Sequence, residues 1–366
     1  MRYAICLDIG TTNVQGLICD MRGTRQIGYL TIKNSQVFYG ADVITRLGRS
    51  LKSASIYENI RQGLINDLTI LIALLLKKNS LKAEDIDKII ACGNSAMHHI
   101  ALKLPLENLA YAPFEPAYKG NTYKSTAEKI GIKDIPEHTP FYFLPNIGGF
   151  VGSDALCVII HTGMHESEAL ILSVDLGTNG EIMLGSKKKI AVASTSAGPA
   201  FESWRIKCGV YGSTLIDIMT DLLKKGVIDK SGYMGQGKYI YADGNREIKV
   251  TQKDVRGFQL AKAAISTGIN LLRTFFRGEK ISKVYVTGIF GSKLNKFNAK
   301  EIGIFPEDIQ SSKIEVKDKA ALLGAASILR HKDIDAYLSR IIKITEHIEL
   351  SRDPDFQGVF TQAMQF

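Results

Sequence analysis

Residues 6–20 read CLDIGTTNVQGLICD: a strand-like apolar run, then Asp-x-Gly-Thr-Thr-Asn, then a second strand-like run. A tight hairpin calls for the glycine, but not for an aspartate and two threonines at its tip. Residues 170–186, LILSVDLGTNGEIMLGS, repeat the arrangement with Asp-x-Gly-Thr-Asn-Gly at the tip. The two aspartates, Asp8 and Asp175, lie about half the chain apart.

The flanks repeat as well. After each hairpin comes a third strand pattern, then helical periodicity, then an apolar strand running into glycine: KIIACGNS at 88–95 and KVYVTGIFGS at 283–292. A duplicated α/β unit is the economical reading, with mixed sheets carrying helices on their faces. We place the first lobe at residues 1–150 and the second at 151–366. A length of 366 residues agrees with two cores rather than one.

A glycine at each tip lets backbone N–H groups approach phosphate oxygens closely. Gly10, Thr11, Thr12, Asn13, Gly177, Thr178 and Asn179 are the candidate phosphate ligands. A carboxylate beside phosphate is repulsive unless a cation intervenes. Asp8 and Asp175 are therefore expected to hold Mg2+, through water. Glu181 directly follows the second turn, and strand alternation can aim it at the terminal phosphate to position attacking water. Asp154 opens a helix after Gly148, Gly149 and Gly152; it is either a dipole-stabilised helix-start residue or a catalytic carboxylate. Asp42 is expected to cap the first helix.

Composition narrows the classes. Hydrophobic residues make up 45% and charged residues 23%, as in ordinary globular proteins. The net charge of +9 is dispersed, with no aromatic-interleaved basic stripe, so no nucleic-acid partner is expected. The most apolar helix candidate, within 60–77, holds about nine uninterrupted apolar residues where a span needs about twenty, and is read as a buried helix. No signal peptide is expected, and scattered cysteines fit a cytoplasmic protein. The five cysteines, at 6, 19, 92, 157 and 208, include no C-x-x-C pair, so no iron–sulfur ligand set is expected in this chain. His98 and His99 are adjacent and cannot share a helix face, which argues against a metal pair. Trp204 is the single tryptophan, and Cys208 reads as a small buried residue.

The doubled Asp-x-Gly-Thr resembles the superfamily of actin, heat-shock chaperones and sugar kinases. The resemblance implies a two-lobe actin-like fold of ribonuclease H-like lobes, with ATP held by both turns. It also implies an adenosine-side segment at VTGIFG, with Gly288, Phe290 and Gly291, and a small-residue helix at AALLGAAS whose Gly324 packs against the helix after GGFVGSD. A narrower resemblance runs through CGNSAMHHI, LAYAPFEPAY, LPNIGGFVGSDA, VDLGTNGEIML and ASTSAGPAFES, the last containing Gly198. These are similar to the ATPase region of the reductive activators of corrinoid proteins. That resemblance implies an ATPase that couples Mg-ATP hydrolysis to Co(II)-to-Co(I) reduction on a partner corrinoid protein, and a homodimer. Electrons would come from a ferredoxin-type donor or a fused iron–sulfur module absent from this sequence. Three alternatives are a small-molecule kinase of the superfamily, a chaperone-like nucleotide switch, and a 2-hydroxyacyl-CoA dehydratase activator.

Overall fold

The computed structural model describes residues 2–40, 42–112, 114–177, 179–196, 212–243, 246–291 and 294–366; for 212, 243, 246, 289 and 290 it describes the backbone. In chain order the main elements are β1 (Tyr3–Ile9), β2 (Asn13–Asp20), β3 (Gln26–Lys33), α1 (Val43–Ser50), α2 (Ala54–Lys78), β4 (Ile86–Gly93), α3 (Ser95–Leu102), β5 (Tyr123–Thr126), β6 (Pro140–Phe143) and α4 (Ser153–His161). They continue with β7 (Ile171–Leu176), β8 (Gly180–Gly185), β9 (Ile190–Thr195), α5 (Gly212–Lys224), β10 (Lys238–Asp243), β11 (Arg246–Thr251), α6 (Gln252–Arg273), β12 (Lys283–Thr287), β13 (Ile314–Val316), α7 (Ala320–Ile328), α8 (Ile334–Lys343) and α9 (Phe356–Ala363).

Two compact units result. The first comprises Met1–His165 and Ala320–His347, the second Glu166–Lys319 and Ile348–Phe366. The division expected after residue 150 is thus corrected. Helix α4 continues the first unit, and the chain returns to that unit at α7. The reason is packing. A Cβ on Gly324 of α7 would lie 2.0 Å from the Cys157 carbonyl oxygen of α4, so the two helices meet backbone to backbone. Only glycine permits that approach. The contact expected between the AALLGAAS helix and the helix after GGFVGSD is therefore present, inside one unit.

In the first unit the sheet runs β3-β2-β1-β4-β6-β5, with β1 antiparallel to β2 and parallel to β4. Strand β1 is central and almost wholly buried, which explains its unbroken apolar run. Helix α2 covers β2 and β3. A Cβ on Gly16 would fall 2.6 Å from Leu75 Cδ1, so the strand makes room for the helix. By length and hydropathy α2 could cross a membrane, yet Leu64, Leu68, Leu71 and Leu75 are buried in this unit's core. The core thus claims its apolar face, as the sequence reading expected.

In the second unit β13-β12-β7-β8-β9 follow the same order and the same directions. The sequence-expected duplication is visible as β3-β2-β1-β4-β6 against β9-β8-β7-β12-β13. Helix α6 lies over β8 and β9, where a Cβ on Gly268 would be 2.3 Å from Ile182 Cδ1. Thr251 and Asp254 start α6 with a reciprocal capping box.

Candidate phosphate and cation site

The first turn joins β1 to β2 and is closed by the Gly10 N–H donating to the Asn13 carbonyl at 3.0 Å. Asn34 clamps it from the side. Its Nδ2 donates to the Gly10 carbonyl at 2.9 Å, and its backbone N–H donates to the Thr12 carbonyl, also at 2.9 Å. Thr11 is buried, and its hydroxyl accepts from Asn94 Nδ2 at 3.0 Å. Its own proton remains available for a ligand oxygen. Asn94 also caps α3 by accepting from the Met97 N–H, so one amide ties the turn to a helix start.

Asp8 sits directly across from Gln15 on β2, and Gln15 Nε2 donates to Asp8 Oδ2 at 3.2 Å. The Tyr29 hydroxyl in turn donates to Gln15 Oε1 at 2.7 Å, and Thr31 Oγ1 donates to the Tyr29 hydroxyl at 2.6 Å. A polar chain thus orients the amide that faces Asp8. On the other side Asp8 pairs in register with Cys92 of β4. A hydrogen bond with Cys157 and burial push the Cys92 thiol well up, and the charges of Cys157, Asp8 and Asp154 add to it. Asp8 and Asp154 are therefore both electrostatic neighbours of the β4 end. Asp154 accepts from the Ala155 N–H at 2.8 Å, while Ser153 Oγ bridges the Gly93 N–H and carbonyl. Gly152 abuts Gly93 so closely that a Cβ would lie 2.1 Å from its carbonyl oxygen. Asp42 caps α1 through the Thr45 N–H, as expected.

The second turn repeats the closure: the Gly177 N–H donates to the Asn179 carbonyl at 3.1 Å. Asp175 faces Glu181 across the hairpin and Thr287 across the parallel pair. Thr287 Oγ1 donates to Asp175 Oδ2 at 2.8 Å. Burial nonetheless raises the Asp175 carboxyl above its ordinary range, opposed by the Thr287 bond. Gly288 has φ +86°, and a Cβ there would lie 2.4 Å from the Leu176 carbonyl and 2.5 Å from Asp175 Oδ1. Glycine at 288 keeps the carboxylate free of a side-chain wall. Ser194 Oγ donates to Glu181 Oε1 at 3.4 Å.

Register matches these residues one to one. The row Cys92–Asp8–Gln15–Thr31 in the first unit corresponds to Thr287–Asp175–Glu181–Ser194 in the second. Gly93 and Gly288 also correspond: a Cβ on Gly93 would fall 2.6 Å from the Ile9 carbonyl, as one on Gly288 would from that of Leu176, at 2.4 Å. The second turn is one residue shorter, with Leu176 pairing Gly180 where Ile9 pairs Val14.

Asp8, Gly10, Thr11, Thr12, Asn13 and Asp154 lie in the first unit, and Asp175, Gly177, Asn179, Glu181, Gly288 and Gly291 in the second. Thr178, Gly198, Trp204, Cys208 and the side chain of Phe290 lie outside the described residues. Sequence reasoning missed Gln15, Asn94 and Thr287 as site residues.

The donor set suits a hard cation. Within the second unit Asp175 and Glu181 offer carboxylate oxygens, and Gly288 leaves one side of Asp175 without a Cβ. Among the described residues no three His, Cys, Asp or Glu side chains cluster as a ready-made cage. The two histidines take no part. His99 Nε2 accepts from the Ala117 N–H, so its Nδ1 carries the proton that meets the Ser95 carbonyl at 2.6 Å. His98 is buried edge-on to Phe143, and desolvation lowers its pKa to about 3.

Known protein families match the chain along nearly its whole length. Residues 3–167 match the family model of the RACo middle region, and 169–211 and 208–366 match the C-terminal ASKHA domain of RACo. The corrinoid activation enzyme RamQ of Eubacterium limosum is 30% identical over all of this chain and 70% of its own length. The [Co(II) methylated amine-specific corrinoid protein] reductase of Methanosarcina barkeri is 20% identical over 98% of this chain and 76% of its own length. A solved reductive activator for corrinoid, iron–sulfur protein superposes with TM-score 0.88 at 26% identity, over 100% of this chain and 66% of that one. The chain is a member of the RACo family, the reductive activators of corrinoid proteins, and spans its middle region and its ASKHA domain.

Proposed function

We propose that the chain hydrolyses Mg-ATP and uses the cycle to activate a corrinoid protein, driving its cobalt from Co(II) to Co(I). The observation that carries the ATP half is the matched polar row at the end of each hairpin, with an aspartate at the same register position in both units. The corrinoid half rests on family membership and on what the relatives act on.

In this reading, Gly10 to Asn13 and Gly177 to Asn179 present backbone N–H groups and hydroxyls to phosphate oxygens. Thr11 donates the hydroxyl proton that Asn94 leaves free. When bound, Mg2+ neutralises phosphate charge and orients the terminal phosphoryl group. Asp8 and Asp175 would each hold the ion through water; Gln15 and Thr287 fix the orientation of those carboxylates. Glu181, held by Ser194, accepts the proton of the attacking water. ATP and water give ADP, phosphate and a proton. Separately, one electron from a low-potential iron–sulfur donor, fused or separate, reduces Co(II) to Co(I). Asp154, at the start of α4, would serve as a further carboxylate contact to the hydrated ion.

The test is ATP turnover by the purified protein at rising concentrations of a Co(II) corrinoid methyl-transfer protein. Turnover that rises and saturates supports the proposal. Turnover that ignores every corrinoid protein offered, or that requires a small-molecule acceptor instead, contradicts it. Sedimentation of the same sample tests the expected homodimer.

A further inference from the structure

Gln15 can face Asp8 with either end of its amide, and only one end is a donor. With Nε2 toward the carboxylate the pair makes a charge-assisted hydrogen bond, observed at 3.2 Å to Asp8 Oδ2. Turned over, Oε1 would meet that oxygen instead, and the bond would be lost. Strand pairing places Gln15 across from Asp8 but does not choose between the two, since an amide turns over without moving the backbone. The choice is made from β3. Thr31 pairs directly with Gln15, and Tyr29 lies two residues away on the same face. The Tyr29 hydroxyl donates to Gln15 Oε1 at 2.7 Å, a bond that only the observed orientation accepts. Thr31 Oγ1 donates to the Tyr29 hydroxyl at 2.6 Å, which turns the Tyr29 proton toward Gln15. The chain Thr31 to Tyr29 to Gln15 to Asp8 thus runs in one direction, each group giving a proton to the next.

The second unit is built differently at this point. Ser194 donates straight to Glu181, whose two carboxylate oxygens are alike and have no wrong way round. The residue in the Tyr29 position is Val192. Tyr29 pairs with Leu17, two residues beyond Gln15, and Val192 pairs with Met183, two residues beyond Glu181. A hydroxyl therefore stands where an amide has to be oriented, and an apolar side chain stands where a carboxylate does not.

We infer that Tyr29 is a positioning residue for Asp8: it locks the Gln15 amide with its donor end toward the carboxylate, and Thr31 locks Tyr29. The inference rests on the function proposed above, in which Asp8 holds the cation through water, and adds what sets that carboxylate. The setting comes from outside the turn, because β3 is the edge strand of its sheet and Thr31 is exposed.

The experiment uses the full chain, labelled with nitrogen-15 in its glutamine side chains, and has two readouts. The first is the Gln15 amide signals of the nucleotide-free protein by nuclear magnetic resonance, assigned by their loss in Gln15→Met. The second is the affinity for Mn2+ in the presence of ADP, by electron paramagnetic resonance. Wild type gives one pair of Gln15 amide signals, with one proton slow to exchange. In Tyr29→Phe, which keeps the ring, the pair doubles or broadens and Mn2+ affinity falls about tenfold, as for loss of a hydrogen bond to a charged group. Thr31→Val acts in the same direction with a fall of about threefold, and Thr31→Ser behaves as wild type. With Gln15→Met already in place, Tyr29→Phe costs nothing further, because the two residues act as one unit. The inference is overturned if Tyr29→Phe keeps a single slow pair and the wild-type affinity, even with a lowered melting temperature. It is overturned equally if Tyr29→Phe costs the same tenfold with Gln15→Met in place. The proposed function survives either result. A wild type that binds no Mn2+ with ADP overturns both.

Discussion

The two turns are built to one plan and differ at one chemically decisive position. In the first unit the residue across from the aspartate is Gln15, a neutral donor that touches Asp8 Oδ2 and is itself oriented by Tyr29. In the second it is Glu181, which places another carboxylate across from Asp175. An amide settles a negative charge; a second carboxylate adds to it and demands a cation. The neighbours on the other side follow the same logic. Thr287 gives Asp175 a hydroxyl bond, where the first unit has the poorly donating thiol of Cys92. The two rows thus differ in the chemistry beside the shared aspartate: an amide and a thiol in the first, a carboxylate and a hydroxyl in the second.

The largest effect should come from removing the charge that both rows share. Asp175→Ala and Asp8→Ala are each expected to lower Mg-dependent ATP hydrolysis by about a thousandfold or more, read as phosphate release. Wild-type turnover in either would break the assignment of both turns. Next comes the exchange of the two rows. Glu181→Gln makes the second row a copy of the first and should cut kcat by about a hundredfold or more with KM little changed, the signature of a lost transition-state role. Gln15→Glu, the reverse exchange, leaves Glu181 in place and adds a carboxylate beside Asp8, so it should mainly lower the Mg2+ concentration needed, by about tenfold. Equal losses of kcat in the two exchanges would show that the rows are not functionally distinct.

A smaller effect is expected from Thr287→Val, which removes the hydroxyl bond at nearly constant volume. A hydrogen bond to a charged group is worth about 1.5–3 kcal/mol, so the apparent Mg2+ affinity should fall by about tenfold to a hundredfold. Cys92→Thr in the first unit should change turnover less than threefold, about the level of a surface substitution. The smallest effect is in pH. Burial raises the Asp175 carboxyl above its unfolded value. Over the range between the two values the folded state binds more protons than the unfolded one, so the contribution of this group to stability falls as pH rises through it. The melting temperature of the nucleotide-free protein should show that loss, and Asp175→Asn should remove it. A curve for Asp175→Asn that overlays the wild type would locate the pH dependence elsewhere.

Much of this was legible in the chain. Both Asp-x-Gly-Thr turns, their flanking strands, the strand-to-glycine ends and the Gly324 helix follow from local pattern, because turn chemistry and strand periodicity are short-range properties. What local pattern does not carry is register. The one-residue difference in turn length decides that Glu181 answers to Gln15, and only the paired strands reveal it. Asn94 reaches Thr11 across 83 residues, and Thr287 reaches Asp175 across 112; such partners are set by the parallel pairing of β4 with β1 and of β12 with β7. The boundary at residue 150 failed for the same reason: α7 returns to the first unit by a contact of Gly324 with Cys157, far away in sequence. The segment after β9, whose ASTSAGPAFES stretch is one of those that carry the family resemblance, lies largely outside the described residues, and the family models supply that link instead.

The most direct test of the account is the cobalt spectrum of a Co(II) corrinoid protein mixed anaerobically with this protein and a low-potential iron–sulfur donor, followed before and after Mg-ATP is added. The account predicts that Co(I) accumulates only after ATP, in step with phosphate release, and not with Asp175→Ala. Co(I) forming at the same rate without ATP, or ATP consumed with the spectrum unchanged, would contradict it.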